Sequence, residues 1–247
     1  MNISVVTQHI SRDEEIKLTS FVRQLRREGH QVSIVLDADS RIEELEKEIG
    51  ALRFRLPQTL LGADALRLTD QITDFASECS LLHLDSAEMF VIGAMAAAHL
   101  NIPFTVSLDE SSLFVSTTSA AALFLFEHIV LRDASKVFCA SEEVLLRVEE
   151  IQPLARCCLL TAENFVSEIS DLAALDAHTR DELIETLRLN PDRPLLSIDM
   201  LRGLIEKRER ISLSAGSYLR MAEREQSFLH QEQVMAAMSS RLKQKEA

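Results

Sequence analysis

Short apolar runs in this 247-residue chain end in residues able to bind ligands or move protons. ISVV leads to Thr7, Gln8 and His9. VSIVL leads to Asp37 and Asp39, LLHL to Asp85, and FTVSL to Asp109 and Glu110. KVFCA leads to Ser141, and RCCLL to Glu163 and Asn164. Adjoining carboxylates such as Asp109 and Glu110 suit general acid–base work, and His9 is a side chain that titrates near neutrality. These three are the catalytic candidates. Gln8, His9, Asp85, Asp109, Glu110, Ser141 and Asn164 are the candidates for lining a cleft.

Each has a plainer alternative. His9 also fits a solvated loop. His83, flanked by leucines in LLHLDSAE, reads as a core residue with satisfied hydrogen bonds, and Ser86 as a cap for the helix that follows. Ser141 precedes Glu142 and Glu143, the pattern of a helix N-cap with acids in the first turn. No GxSxG, HExxH or P-loop occurs. The first turn, TQHISRDEE, lacks the glycines that let backbone N–H groups approach a diphosphate. Cys79, Cys139, Cys157 and Cys158 form no CxxC, and an adjacent pair makes a poor chelate. They read as buried reduced thiols, and neither a metal nor a cofactor is expected.

The apolar runs alternate with helical patterns. ISVV (3–6), VSIVL (32–36), LRFRL (52–56), LLHL (81–84), FTVSL (104–108), KVFCA (136–140) and RCCLL (156–160) read as strands. Helices are expected over 14–29, with Ile16, Leu18, Phe21, Val22 and Leu25 on the apolar stripe and Gly29 as C-cap. Further helices are expected over 41–49 (stopped by Gly50), 62–78, 88–100, 111–132 and from Ser141 to before Pro153. Repeated strand–helix alternation predicts a Rossmann-like, doubly wound parallel α/β sheet. Its ligands belong beyond the carboxyl ends of the strands, where the candidates fall. We divide the chain at 170, into a lobe of residues 1–170 and a remainder of 171–247. In the remainder a single strand-like LLSI is followed by amphipathic helices from about 200 onward.

Composition narrows the function. A hydrophobic share of 47% supports a real core. A formal net charge of −13 opposes nucleic-acid and anionic-membrane binding, because the basic groups Arg23, Arg26, Arg27, Lys243 and Lys245 are few and local. The apolar stretch around 89–98 is too short to span a bilayer, and MNISVVTQH lacks the pattern of a signal peptide. Cytoplasmic residence is expected.

Several texts, in order, resemble the N-terminal, acceptor-side domain of GT-B glycosyltransferases of the family 4-like type. They are SFVRQLRREGHQVSIVLD (20–37), LLHLDS, AAAHLNIPFTVSLDE (96–110), LFEHIVLRDASKVFCASEEVLLRV and RDELIETLRLNPDRPLLSI (180–198). The resemblance implies that Glu127, Arg132 and Asp133 fix a helix end and that Ser141 caps the next helix while facing an interdomain cleft. The sequence also departs from the pattern. The first glycine turn is missing, Asp109 stands where a histidine usually ends the fifth strand, and the family's NGVD reads Asn164-Phe165-Val166-Ser167. Too few residues follow LLSI for the donor-binding domain, so that half is expected to be largely missing. The tail resembles the family's final helix.

The expected protein is thus a single acceptor-side lobe with a C-terminal helical extension. It is not an autonomous sugar transferase but a pseudoenzyme-like partner subunit, acceptor-binding protein or scaffold in glycan assembly. Its expected partner is a protein, or a second copy, docking on the lobe face or on residues 200–247, with a glycan or protein acceptor. Two other readings stay open: a free-standing small-molecule enzyme using Asp109, Glu110 and His9, or a helix-mediated oligomeric interaction protein.

Overall fold

The computed structural model describes residues 1–7, 12–40, 42, 45, 49–57, 62–110, 125–176, 178–179 and 181–183, with backbone alone at 12–14, 17 and 88. Gln8, His9 and the whole of 184–247 lie outside the described residues, as do the helices expected over most of 41–49 and over 111–124.

Seven strands form one sheet: β1 (Asn2–Val6), β2 (Gln31–Asp37), β3 (Gly50–Phe54), β4 (Leu81–Leu84), β5 (Phe104–Leu108), β6 (Lys136–Cys139) and β7 (Cys157–Leu159). Every pairing is parallel, in the order β3-β2-β1-β4-β5-β6-β7. The order reverses between β1 and β4, the Rossmann-like arrangement that the alternation predicted. All strands therefore deliver their last residues to one edge.

Helices cover both faces, which is why the strand runs are apolar throughout rather than alternating. On one face lie α2 (Ala63–Phe75), α3 (Phe90–Leu100), α4 (Leu131–Asp133) and α5 (Glu142–Ile151). On the other lie α1 (Arg12–Arg27) and α6 (Ala162–Ala173). Leu18, Val22 and Leu25 form the buried stripe of α1, whereas Ile16 is 63% exposed, contrary to the expectation, because two residues before Leu18 is the opposite side of a helix. Gly29 closes α1 at φ +88°, and Asn101 closes α3 at φ 53°, both left-handed caps. α3 is buried from Phe90 to Ala97 because it lies between the sheet, α2 and the segment before α4.

Further differences from the sequence reading have local causes. β3 begins at Gly50 and ends at Phe54, two residues earlier than expected. Gly50 pairs with Ser33, whose Cβ would sit 4.0 Å from a side chain at that position. The helix expected to run evenly to 132 widens to a π-helical turn at Phe126–Val130, and Gln152 Nε2 donates to the Glu127 carbonyl at 3.4 Å. Ser86 occupies an N-cap position in extended backbone, yet its hydroxyl makes no cap hydrogen bond. Of the four cysteines, all free, only Cys139 is buried; the others are half-buried.

Candidate functional site

The carboxyl edge of the sheet is stitched by backbone bonds between successive strand ends. Thr7 N donates to Val35 O, Asp85 N to Val6 O, Ala140 N to Leu108 O and Leu160 N to Cys139 O, at 2.7–2.9 Å. Along this edge stand, in order, Asp37, Thr7, Asp85, Asp109 with Glu110, Ser141, and Thr161 with Asn164. The topology thus gathers five of the candidates, Asp85, Asp109, Glu110, Ser141 and Asn164, on one rim. Asp85, Glu110 and Asn164 are exposed, while Asp109 and Ser141 are half-buried.

One hydroxyl joins two of the strands. Ser141 Oγ donates to Glu110 Oε1 at 3.0 Å and accepts from Val144 N at 3.3 Å. A serine has one proton to give, and here the glutamate takes it. The arrangement caps α5 and ties the end of β6 to the turn after β5; no histidine base receives that proton. Asn164 lies in the first turn of α6. Its backbone N–H bonds Thr161 Oγ1 and its Nδ2 donates to Leu159 O, both at 3.1 Å. At the other end of the rim, Asp37 Oδ1 accepts from Asp39 N at 2.8 Å. Arg53 Nη1 donates to the carbonyls of Ala38 and Ser40 at 3.0 and 2.9 Å, closing the turn after β2.

A helix N-terminus attracts anions when its N–H groups and dipole are free to face them. At the β6–β7 end of the rim the two helix N-termini have their own occupants, whereas α2 and α3 begin on the same edge without a side-chain cap. α5 carries Ser141 at its cap and Glu142 and Glu143 in its first turn; α6 carries Thr161 and Glu163. With Asp85, Asp109 and Glu110 alongside, the described rim is anionic. Among the described residues no cluster of three or more His, Cys, Asp or Glu side chains is arranged to hold a metal ion. No helix among them is long and apolar enough to cross a membrane.

His83 belongs to the interior. β4 and β5 set His83 opposite Thr105, and the ring bonds Thr105 Oγ1 through Nδ1 at 2.9 Å and Ser107 Oγ through Nε2 at 3.2 Å. Phe165 of α6 lies edge-on to it with centroids 4.8 Å apart, and Phe138 lies 6.1 Å away. Burial pushes its pKa down to about 3, so the ring is a neutral hydrogen-bonding core residue, as its leucine neighbours suggested. The helix that supplies Phe165 went unrecognised in the sequence. Thr161 as N-cap, followed by Phe165, Val166, Ile169 and Ala173 at helical spacing, was the available signal. The end of α4 is fixed by Arg132, 7% exposed, whose Nε meets Asp133 Oδ1 at 2.5 Å. The Glu127 carbonyl instead accepts from Gln152 Nε2, at the far end of α5.

The glycosyl transferase 4-like domain family matches residues 16–158, more than half of the chain, and the chain belongs to that family. The match lies on the parallel lobe, the part in which the sequence resembled the N-terminal domain of GT-B glycosyltransferases. Among solved structures, a sucrose-phosphate synthase chain from Thermosynechococcus elongatus is similar at 14% identity and TM-score 0.48, over 70% of this chain and 97% of that one. A glycosyltransferase from Rickettsia africae is similar at 16% identity and TM-score 0.49, over 78% and 51%. HepE of Anabaena, solved with UDP, is similar at 18% identity and TM-score 0.47, over 70% and 50%. The chain thus spans about half the length of the last two. No curated protein matches it in sequence.

Proposed function

We propose that this glycosyltransferase-like lobe serves the acceptor side of glycan assembly and does not itself grip a nucleotide sugar. The observation that carries the reading is the state of the carboxyl rim. At its β6–β7 end the N-termini of α5 and α6 hold their own hydroxyls and acids, and Asp85, Asp109 and Glu110 add negative charge beside them. Stabilising a diphosphate leaving group requires positioned cations or free N–H donors. The β5–β7 part of the rim instead offers carboxylates and an amide, groups that bind sugar hydroxyls or the ammonium groups of a protein acceptor. Donor chemistry then comes from a partner polypeptide facing this rim, with residues 200–247 or a second copy as the docking element. The protein works in the cytoplasm as a subunit or scaffold, with Asp85, Asp109, Glu110, Ser141 and Asn164 as acceptor contacts.

Calorimetric titration of the full chain with UDP- and GDP-sugars, beside a glycan-array screen, tests this. We expect no saturable nucleotide-sugar binding, and glycan binding that weakens in Asp109→Asn and Glu110→Gln. Tight UDP-sugar binding, or sugar transfer by the chain alone, would overturn the reading.

A further inference from the structure

The hydroxyls around His83 have one proton more than the ring can use. Thr105 Oγ1 lies 2.9 Å from Nδ1 and Ser107 Oγ lies 3.2 Å from Nε2. Among the described residues the ring is the only hydrogen-bond partner of each hydroxyl. Burial keeps the ring neutral. A neutral imidazole has one N–H and one lone-pair nitrogen, and each hydroxyl has one proton. Two arrangements satisfy both contacts. With the proton on Nδ1, Ser107 donates to Nε2, and the Thr105 proton is left in the interior with no acceptor. With the proton on Nε2, Thr105 donates to Nδ1, Ser107 accepts, and the proton left over belongs to Ser107. Thr105 is 0% exposed and Ser107 is 7% exposed. An unmet donor costs most where no water reaches it, so burial selects the second arrangement.

The spare proton then stands where the sheet opens. Register sets Val6 against Leu84 and Leu84 against Val106. One step further, Thr7, Asp85 and Ser107 form a row across β1, β4 and β5, at the point where the strand order reverses. Val5, His83 and Thr105 form the row two residues below. Residues two apart along a strand share a face, here the face covered by α1 and α6. Asp85 is exposed, and Asp109 follows Ser107 by two residues.

We propose that Ser107 is the floor contact of a site for a sugar hydroxyl at this reversal point, with His83 as the residue that positions its proton. The inference rests on the acceptor-side reading above and names one contact within it. An alcohol oxygen takes the Ser107 proton on a lone pair and gives its own proton to the carboxylate of Asp85 or Asp109. A hydroxyl can accept and donate at once. An ammonium cannot accept, and an ether or a carboxylate cannot donate.

Two measurements on the full chain test this. Long-range proton–nitrogen correlation spectra at neutral pH, assigned by the signal lost in His83→Gln, report the ring tautomer. We expect Nε2–H; an Nδ1–H or a charged ring overturns the inference, and this is read in the native protein whether or not a Ser107 variant folds. Calorimetric titration with the methyl glycosides of glucose, galactose and mannose reads the site. We expect binding that weakens by about five- to tenfold in Ser107→Ala and returns in Ser107→Thr, which keeps the hydroxyl. Equal affinity in Ser107→Ala, or no saturable binding of any of the three, overturns the Ser107 site and leaves the acceptor-side reading to its own glycan screen. Tight UDP-sugar binding strikes that reading instead, and with it the ligand class assigned here.

Discussion

If His83 is neutral in the native lobe, acidification must erode stability with a defined slope. In the unfolded chain a histidine titrates near 6.5; in the fold, burial holds this one to about 3. Below the unfolded value the unfolded state binds a proton that the native state refuses. Stability from His83 is therefore complete above about pH 6.5 and is lost as pH falls toward the folded value, by about 1.4 kcal/mol per pH unit. Between about pH 6.5 and pH 4.5 the loss amounts to about 2.7 kcal/mol, a large part of the stability of an ordinary domain. Urea unfolding followed by circular dichroism across that range measures it, in the native protein and in His83→Gln. The glutamine keeps a donor and an acceptor for Thr105 and Ser107 but cannot titrate, so the slope attributable to position 83 disappears. His30, whose pKa is also lowered by burial and by the N-terminal amine, is present in both proteins and cancels in the difference. Parallel pH profiles for the two proteins, or a native His83 ring resonance titrating near pH 6.5, would refute the reasoning.

Three other perturbations follow from the packing. Gly93→Ala places a Cβ against Leu84 Cδ2 and 3.2 Å from Cδ1, in a core with no slack, and lowers the unfolding free energy by about 1–3 kcal/mol in urea titration. Ser141→Ala removes the α5 cap and the link to Glu110; it costs about 1 kcal/mol and speeds hydrogen exchange in the first turn of α5. Asp133→Ala leaves the Arg132 guanidinium buried beside a lost partner and costs about 3–5 kcal/mol by thermal or urea unfolding, far more than breaking an exposed pair such as Arg67–Asp64.

The sheet was readable from sequence because both of its faces are covered. Strands buried on two sides must be short apolar runs, and LLHL and FTVSL coincide with β4 and β5 residue for residue. β3 was placed two residues late because an edge strand buries little: along Gly50–Phe54 only Phe54 is buried, so the alternation of LRFRL pulled the expectation toward Arg55 and Leu56. α6 was not read from the sequence because Asn164-Phe165-Val166-Ser167 stands where the family has NGVD, although Phe165, Val166 and Ile169 fall at helical spacing. At the rim, parallel topology alone brings Asp85, Asp109, Glu110 and Ser141 together. The bond from Ser141 to Glu110 spans 31 residues and depends on side-chain geometry that local patterns do not encode.

α6 has a consequence for how the polypeptide must be made. It leaves the outermost strand, recrosses the sheet and meets the first helix, where Ser170 Oγ donates to Glu28 Oε2 at 2.7 Å and meets His30 Nε2 at 2.9 Å across 140 residues of chain. Phe21 and Phe165 stack there at 4.6 Å. A ribosome that has released only the first six strands has thus exported a sheet whose histidine and hydroxyls still face water. Among the described residues the last cover over this face arrives with the last turn of α6, so closure there waits for residue 173. A truncation at residue 158, where the family match stops, would strip this lid and present Phe138 and His83 to chaperones and proteases.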